Sequence, residues 1–303
     1  MYFLMTVDVE SFSIPLNKCD FETGRKVYKI GLPSLLDLFA KYDIKATFYF
    51  TGEMVKMFPE SIEVVIEHDH EIGCHGYDHT PDRAFDILSY DEQVKELMKA
   101  KKVIESIAGR IKSFRAPMLR INEDTVKALE STGFLSDSSI CSQRFDGFLT
   151  FGSRRKLKWL FAPRKPYFLS YNSIIKKGES KVLEIPISAA IVPYIGTTMR
   201  IFPRLIKIIQ KFIFMESKRA GKPVVFLFHP NECLEVDTKI VTTKRTNNIF
   251  EYVLADYIRQ RLKLRNLGKI AIRLLDDLLR EAKKESFEFL SVYEYRKMYG
   301  RSI

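Results

Sequence analysis

Val224 to Phe228, VVFLF, is a run of five apolar residues that closely follows the amphipathic stretch RLIKIIQKFIFMESKRAG. A strand that is apolar at every position has both faces covered, the condition of a central strand in a sheet flanked by helices. The same alternation runs through the chain. YFLMTVDV, IKATFYFTG, EIGCHG, IKSFRAP and KVLEIPIS read as strands, and SLLDLFAKY, SIEVVIEHDH, DEQVKELMKAKKVIESIAG and NEDTVKALESTG as the helices between them. Asn122 precedes an acidic first turn, while Gly109 and Gly133 stand after last turns, so the caps agree with the periodicity. The pattern predicts an α/β protein built on a mostly parallel sheet or barrel. NLGKIAIRLLDDLLREAKK and FEFLSVYEYRKMY add a long amphipathic helix, a short strand and a closing helix. Only the middle lacks a regular pattern, so the chain reads as a single domain over 1–303 with an irregular basic insertion at about 141–181.

At 46% hydrophobic and 29% charged, the 303 residues have a globular composition that excludes disorder as the main state. No run of about 18 apolar residues occurs, and MYFLMTVDVE reaches an acid at position 8 without a basic leader region, so a cytoplasmic protein is expected. The four cysteines are scattered without a CxxC pair, which excludes a zinc finger. Of the net charge of +11, much sits in SRRKLKWLFAPRKP, residues 153–166, with six basic side chains and no acidic one. Leu157, Trp159, Leu160 and Phe161 are interleaved there, a mixture that predicts contact with a peripheral membrane or a phosphate-linked lipid. No nucleic-acid motif accompanies the patch, and nucleic acid is not an expected partner.

Reactive side chains of α/β sheets gather at the carboxyl ends of strands. Four such ends carry Asp8 and Glu10, His75 and His79, Arg115, and His229. Each has an ordinary explanation alone; their coincidence is the signal. His75 and His79, four apart, would share one face of a helical turn and could converge on one ion. Asp8 and Glu10, two apart, would share one face of a strand. Two histidines and a carboxylate form a ligand set for catalytic zinc, leaving the other carboxylate as general base, with Arg115 to hold it ionised and His229 to protonate a leaving group. His68 and His70 read as structural, and Asp78 either as placed to bond a ligand histidine or as an exposed loop acid.

TVDVE, HEIGCHGYDH, FRAP, LEIP and FLFHP, in this order, resemble the successive motifs of the polysaccharide deacetylases, carbohydrate esterase family four, also called the NodB-homology family. That resemblance implies a distorted (β/α)7 barrel of the polysaccharide deacetylase type and metal-dependent removal of acetyl groups from sugars. It implies metal ligands at His75 and His79, the base at Asp8, the arginine orienting that base at Arg115 with Pro117 as its companion, and the general acid at His229. Val9 stands where the family has a second aspartate, and on an acid-x-acid version of the motif Glu10 supplies the metal carboxylate; Asp8 as the ligand is the other assignment. Asp137 is the expected acidic partner of His229, and Pro117 and Asp137 are expected at the substrate groove. Met118 and Leu119 replace the family's glycine-bearing continuation. The expected function is a metal-dependent hydrolase, most simply a zinc enzyme, that removes an N-acetyl group from a polysaccharide or from a lipid- or nucleotide-linked sugar. A catalytically silent glycan- or lipid-binding barrel and a cyclic-amide hydrolase are the alternatives.

Overall fold

The computed structural model describes residues 1–142, 159–236 and 258–301. Its frame is a set of parallel strands: β1 (Tyr2–Val9), β2 (Ala46–Phe50), β3 (Glu71–Cys74), β4 (Ser113–Phe114), β5 (Ser136–Asp137), β6 (Leu183–Glu184) and β7 (Val224–Phe228). They lie in the order β7-β1-β2-β3-β4-β5-β6. VVFLF is buried at every residue, and β1 at all but its first, as all-apolar runs between helices require. Val225 pairs with Leu4 on one side; on the other, its N–H donates to Ser188 Oγ at 3.0 Å and its carbonyl accepts from Ser188 N–H at 3.1 Å. Those two bonds bring the chain beyond β6 to the open edge of β7. The sheet thus curls into the distorted (β/α)7 barrel that the sequence predicts.

The main helices are α1 (Leu32–Lys41), α2 (Tyr90–Ala108), α3 (Glu123–Ser131), α4 (Pro203–Ala220), α5 (Lys269–Lys284) and α6 (Val292–Arg301). Ser89 and Glu92 close a capping box at the start of α2, and Asn122 Oδ1 accepts from Thr125 N–H at 3.2 Å at the start of α3. Glu288–Phe289 pairs with the first residues of β1, so the tail is a strand and helix as expected. One cluster of buried apolar side chains runs from Phe3 to Tyr295.

Within the region 141–181, the described residues 159–181 hold more regular structure than expected. Residues 143–158, which hold most of the basic patch, lie outside the described residues. Tyr167–Ser170 and Ser173–Lys177 form an antiparallel hairpin that extends the sheet beyond β6, with Phe168 opposite Leu183. Its arms are too short to show a period. Trp159, expected at a bilayer, is instead a core residue at 3% exposure, whereas Phe161 stands 80% exposed.

Candidate active site

All the strand-end residues singled out above meet at one end of the barrel. β1 delivers Asp8 inward and ends one residue before Glu10; β3 ends at Cys74, β4 at Phe114 and β7 at Phe228, each followed directly by His75, Arg115 or His229. Asp8 is 2% and Glu10 4% exposed, so both carboxylates need partners. They find different ones.

Asp8 Oδ1 accepts from Arg115 Nη1 at 2.8 Å. Arg115 is wholly buried and held on every side: Nη1 also reaches Thr6 Oγ1, Nε donates to Ser138 O, and Nη2 donates to Ser138 Oγ. Its guanidinium lies 4.5 Å above the ring of Tyr49. Gly73 makes room for that ring, since a Cβ there would meet Tyr49 Cδ1 at 2.6 Å. Asp8 Oδ2, free of the arginine, lies 3.8 Å from His75 Nε2 and 3.9 Å from His229 Nε2.

Glu10 instead faces the two histidines. Its Oε2 is 3.2 Å from His79 Nε2 and 3.7 Å from His75 Nε2, and it has no hydrogen-bond partner among the described residues. Burial opposes the charge of Glu10, but His79, His75 and His229 together hold its pKa down at about 2. Burial also lowers the pKa of His79, which favours the neutral imidazole. His75 Nδ1 donates to Arg115 O at 2.9 Å, which leaves the Nε2 lone pair directed into the cluster, and His79 Nε2 accepts from Met118 N–H at 3.3 Å. Glu10, His75 and His79 offer donor atoms all within 4.8 Å of one another. A buried carboxylate oxygen without a proton donor, beside the open His75 Nε2 lone pair and the His79 ring, fits a divalent cation.

The two histidines do not share a helical turn, as their spacing suggested. Residues 75–80 form a loop, and Gly76, at φ +70° and packed against Pro117 Cγ, turns the chain so that the rings come to 6.0 Å between centroids. Pro117 is buried and acts through that loop rather than as an exposed wall of a groove. Met118 and Leu119 both adopt left-handed backbone, φ +56° and +53°, a conformation that glycine takes without cost. Asp78 bonds Thr80 and lies near Arg83, not a ligand histidine. His68 caps its helix through Val64 O, and His70 packs on Phe39 and Phe48, both structural as expected.

Asp137 is not the partner of His229. It is completely buried, bonded by Ser139 Oγ and linked to Glu184, away from the imidazole. Glu232 takes the place assigned to it: Oε1 lies 3.1 Å from His229 Nδ1, and Oε2 is bound by the buried Arg200. Arg200 in turn donates to Lys263 O at 2.8 Å and Arg265 O at 2.7 Å. Burial works against a charged His229, but the bond to Glu232 and the charges of Glu10, Glu232 and Asp8 raise its pKa to about 9. Sequence reasoning missed Glu232 and Arg200. The available signal was FHPNE, in which a proline at the first position of a turn brings the residue three places on back to the histidine.

A curled parallel barrel with a His–His–Glu cluster, an arginine-bound carboxylate and a carboxylate-bound histidine at its mouth defines a candidate hydrolase. Residues 21–136 match the family described as polysaccharide deacetylase. The matched stretch contains His75, His79, Arg115 and Pro117; Asp8, Glu10 and His229 lie outside it. A peptidoglycan deacetylase from Helicobacter pylori is 28% identical over 127 residues, which is 42% of this chain and 42% of that protein. The aligned part thus spans less than half the length of the curated relative. Among solved structures, a probable polysaccharide deacetylase from Pseudomonas aeruginosa has a TM-score of 0.64 at 14% identity, covering 99% of this chain and 91% of the other. The Puue allantoinase has a TM-score of 0.60, also at 14% identity, covering 98% and 89%. These two likenesses show the fold.

Proposed function

We propose that the chain is a metal-dependent hydrolase that removes an N-acetyl group from a sugar. The observation that carries this reading is the division of labour between two carboxylates: Arg115 engages Asp8, and both ligand histidines face Glu10. A divalent ion held by Glu10, His75 and His79, most simply zinc, would polarise the acetamide carbonyl and make water a stronger acid. Asp8 Oδ2 then takes a proton from the attacking water, while Arg115 fixes the other oxygen and favours the carboxylate. His229 Nε2 delivers a proton to the departing amine nitrogen as the C–N bond breaks, and Glu232 holds the ring in orientation through Nδ1. Acetate and a free amino sugar result.

The substrate in this reading is a nucleotide- or lipid-linked N-acetyl sugar met in the cytoplasm at a membrane surface. Cysteines that form no disulfide among the described residues suit a reducing compartment, and the basic stretch 153–166 suits a phosphate-bearing acceptor. A silent binding barrel finds less support, because Glu10 occupies the position that Val9 leaves without an acid.

The test is metal content of the purified protein beside acetate release from chitooligosaccharides and a uridine-linked N-acetylhexosamine, with a cyclic amide as the control substrate. Asp8→Asn is expected to keep the metal and lose about 10²- to 10⁴-fold in rate, the range of a lost general base. Glu10→Gln and His75→Ala are expected to lose metal and activity together. A His75→Ala protein with full metal and full activity would overturn the assignment.

A further inference from the structure

We propose that the outer face of α4, with the hairpin tip at Ile191, is a docking surface for an anionic lipid bilayer. A helix flanking a barrel normally turns its apolar stripe inward and its polar face to water. α4 has two apolar faces. Ile206, Ile209, Ile213 and Phe214 are buried, and Leu205, Ile208, Phe212 and Met215 form a second stripe at 41%, 67%, 48% and 40% exposure. The spacing of three, four and three keeps those four on one side of the helix.

Bordering charges choose the occupant. Arg204, Lys207, Lys211 and Arg219 are exposed on the same helix, and its only acid, Glu216, is half-buried and spoken for by Arg164 and Lys222. Lys207 and Lys211 also line a groove that holds Asp277, Glu281 and Glu285, yet none of the four cations makes an ion pair among the described residues, and exposed apolar side chains beside such cations match the headgroup and acyl boundary of an anionic membrane. A second copy of the chain would set these cations against their own equivalents across a two-fold axis, which disfavours self-association.

A second feature is independent of the helix. The hairpin Ala189–Ala190 and Val192–Pro193 packs on α4 and turns at Ile191, which is 71% exposed with φ +67°. Left-handed backbone costs an L-residue about 1–2 kcal/mol, and a β-branched one tolerates it least. Glycine or asparagine would make this turn more cheaply, so the isoleucine side chain answers to something outside the fold. Phe161, 80% exposed, lies on a segment that Arg164 ties to α4 through Glu216. The surface also adjoins the candidate site: α4 starts just after Gly196–Ile201, the helix whose Arg200 holds Glu232, and so begins at the mouth of the barrel.

Vesicle co-sedimentation of the full chain, without turnover, tests this separately from the deacetylase reading. Binding to phosphatidylcholine vesicles containing phosphatidylglycerol is expected, with little binding to phosphatidylcholine alone and weakening as salt rises. Ile208→Glu with Phe212→Glu should reduce partitioning by at least about tenfold, since the apolar area buried in the interface drives it. Ile191→Asn, which suits the turn, should reduce it while leaving the melting curve intact, and Arg204→Glu with Lys211→Glu should abolish the preference for anionic lipid. No binding by the unaltered protein, unchanged binding by all three variants, or a dimer in ultracentrifugation that the Ile208/Phe212 variant dissolves would each overturn the proposal.

Discussion

Asp8 and Glu10 differ by one methylene and lie two residues apart, yet their surroundings assign them different work. Period-two alternation made their shared face legible in the sequence, and the geometry adds which neighbour each one meets. Glu232 was not legible in the same way, because its approach to His229 depends on a tight turn rather than on a period. Its contribution is measurable. With the acid protonated up to about pH 9, Glu232→Gln should move the alkaline limb of kcat/KM to lower pH, read from a pH–rate profile. The linked stability has a definite sign: a histidine raised from 6.5 to about 9 contributes fully below the first value and loses that contribution as pH climbs through the second. Urea titrations across that interval should show a smaller decline for the variant. Asp137 and Glu184 give a further case. Burial pushes Asp137 up to about 6 against the pull of Ser139, Glu184 and Arg115, and Glu184 well above its ordinary value. Raised carboxyls stabilise below their unfolded pKa and lose that contribution as pH rises through the folded one. This pair's contribution should therefore fall between pH 4 and 7, and Asp137→Asn should show a smaller loss of melting temperature over that interval than the unaltered protein.

Among elements, helices were read well because their caps and long period reinforce each other. Asn122 with Thr125 begins α3 where the sequence predicts, and Ser89 with Glu92 begins α2 at Tyr90, one residue before the predicted stretch. Short strands were harder. KVLEIPIS reads as a full strand, yet the regular strand spans only Leu183 and Glu184, and beyond Pro186, which has no N–H to offer the ladder, pairing resumes only as a single bridge at Ile187. The HxxxH spacing misled for a related reason: a left-handed glycine between the histidines substitutes a loop for the helical turn. Gly73 joins element packing to the site, since any side chain there would press on Tyr49 beneath Arg115. Gly73→Ala should destabilise the protein by about 1–3 kcal/mol in urea unfolding, the usual range for overpacking, and lower kcat by disturbing the Arg115–Asp8 contact.

In the whole molecule, the barrel closes at a seam that no regular strand pattern marks. Beyond Pro186 the ring is completed by Ser188, whose hydroxyl accepts the Val225 N–H at 3.0 Å. Ser188→Ala would leave that buried N–H unpaired, and a loss of about 1–3 kcal/mol is expected in urea unfolding. The order of strands within the ring came from no local pattern, because it depends on pairings between distant segments. Within the seven-strand ring the most distant pairing is β1 with β7, whose residues Thr6 and Phe226 stand 220 positions apart and are joined by a hydrogen bond. Asp8 and His229 are neighbours for that reason. On the ribosome, the first strand emerges long before its partner has been translated, so its two buried acids wait in solvent without the imidazole from the seventh. The groups proposed as proton donor and proton acceptor come within reach of each other only when synthesis has passed residue 229, and on that proposal a nascent chain arrested earlier would be unable to turn over.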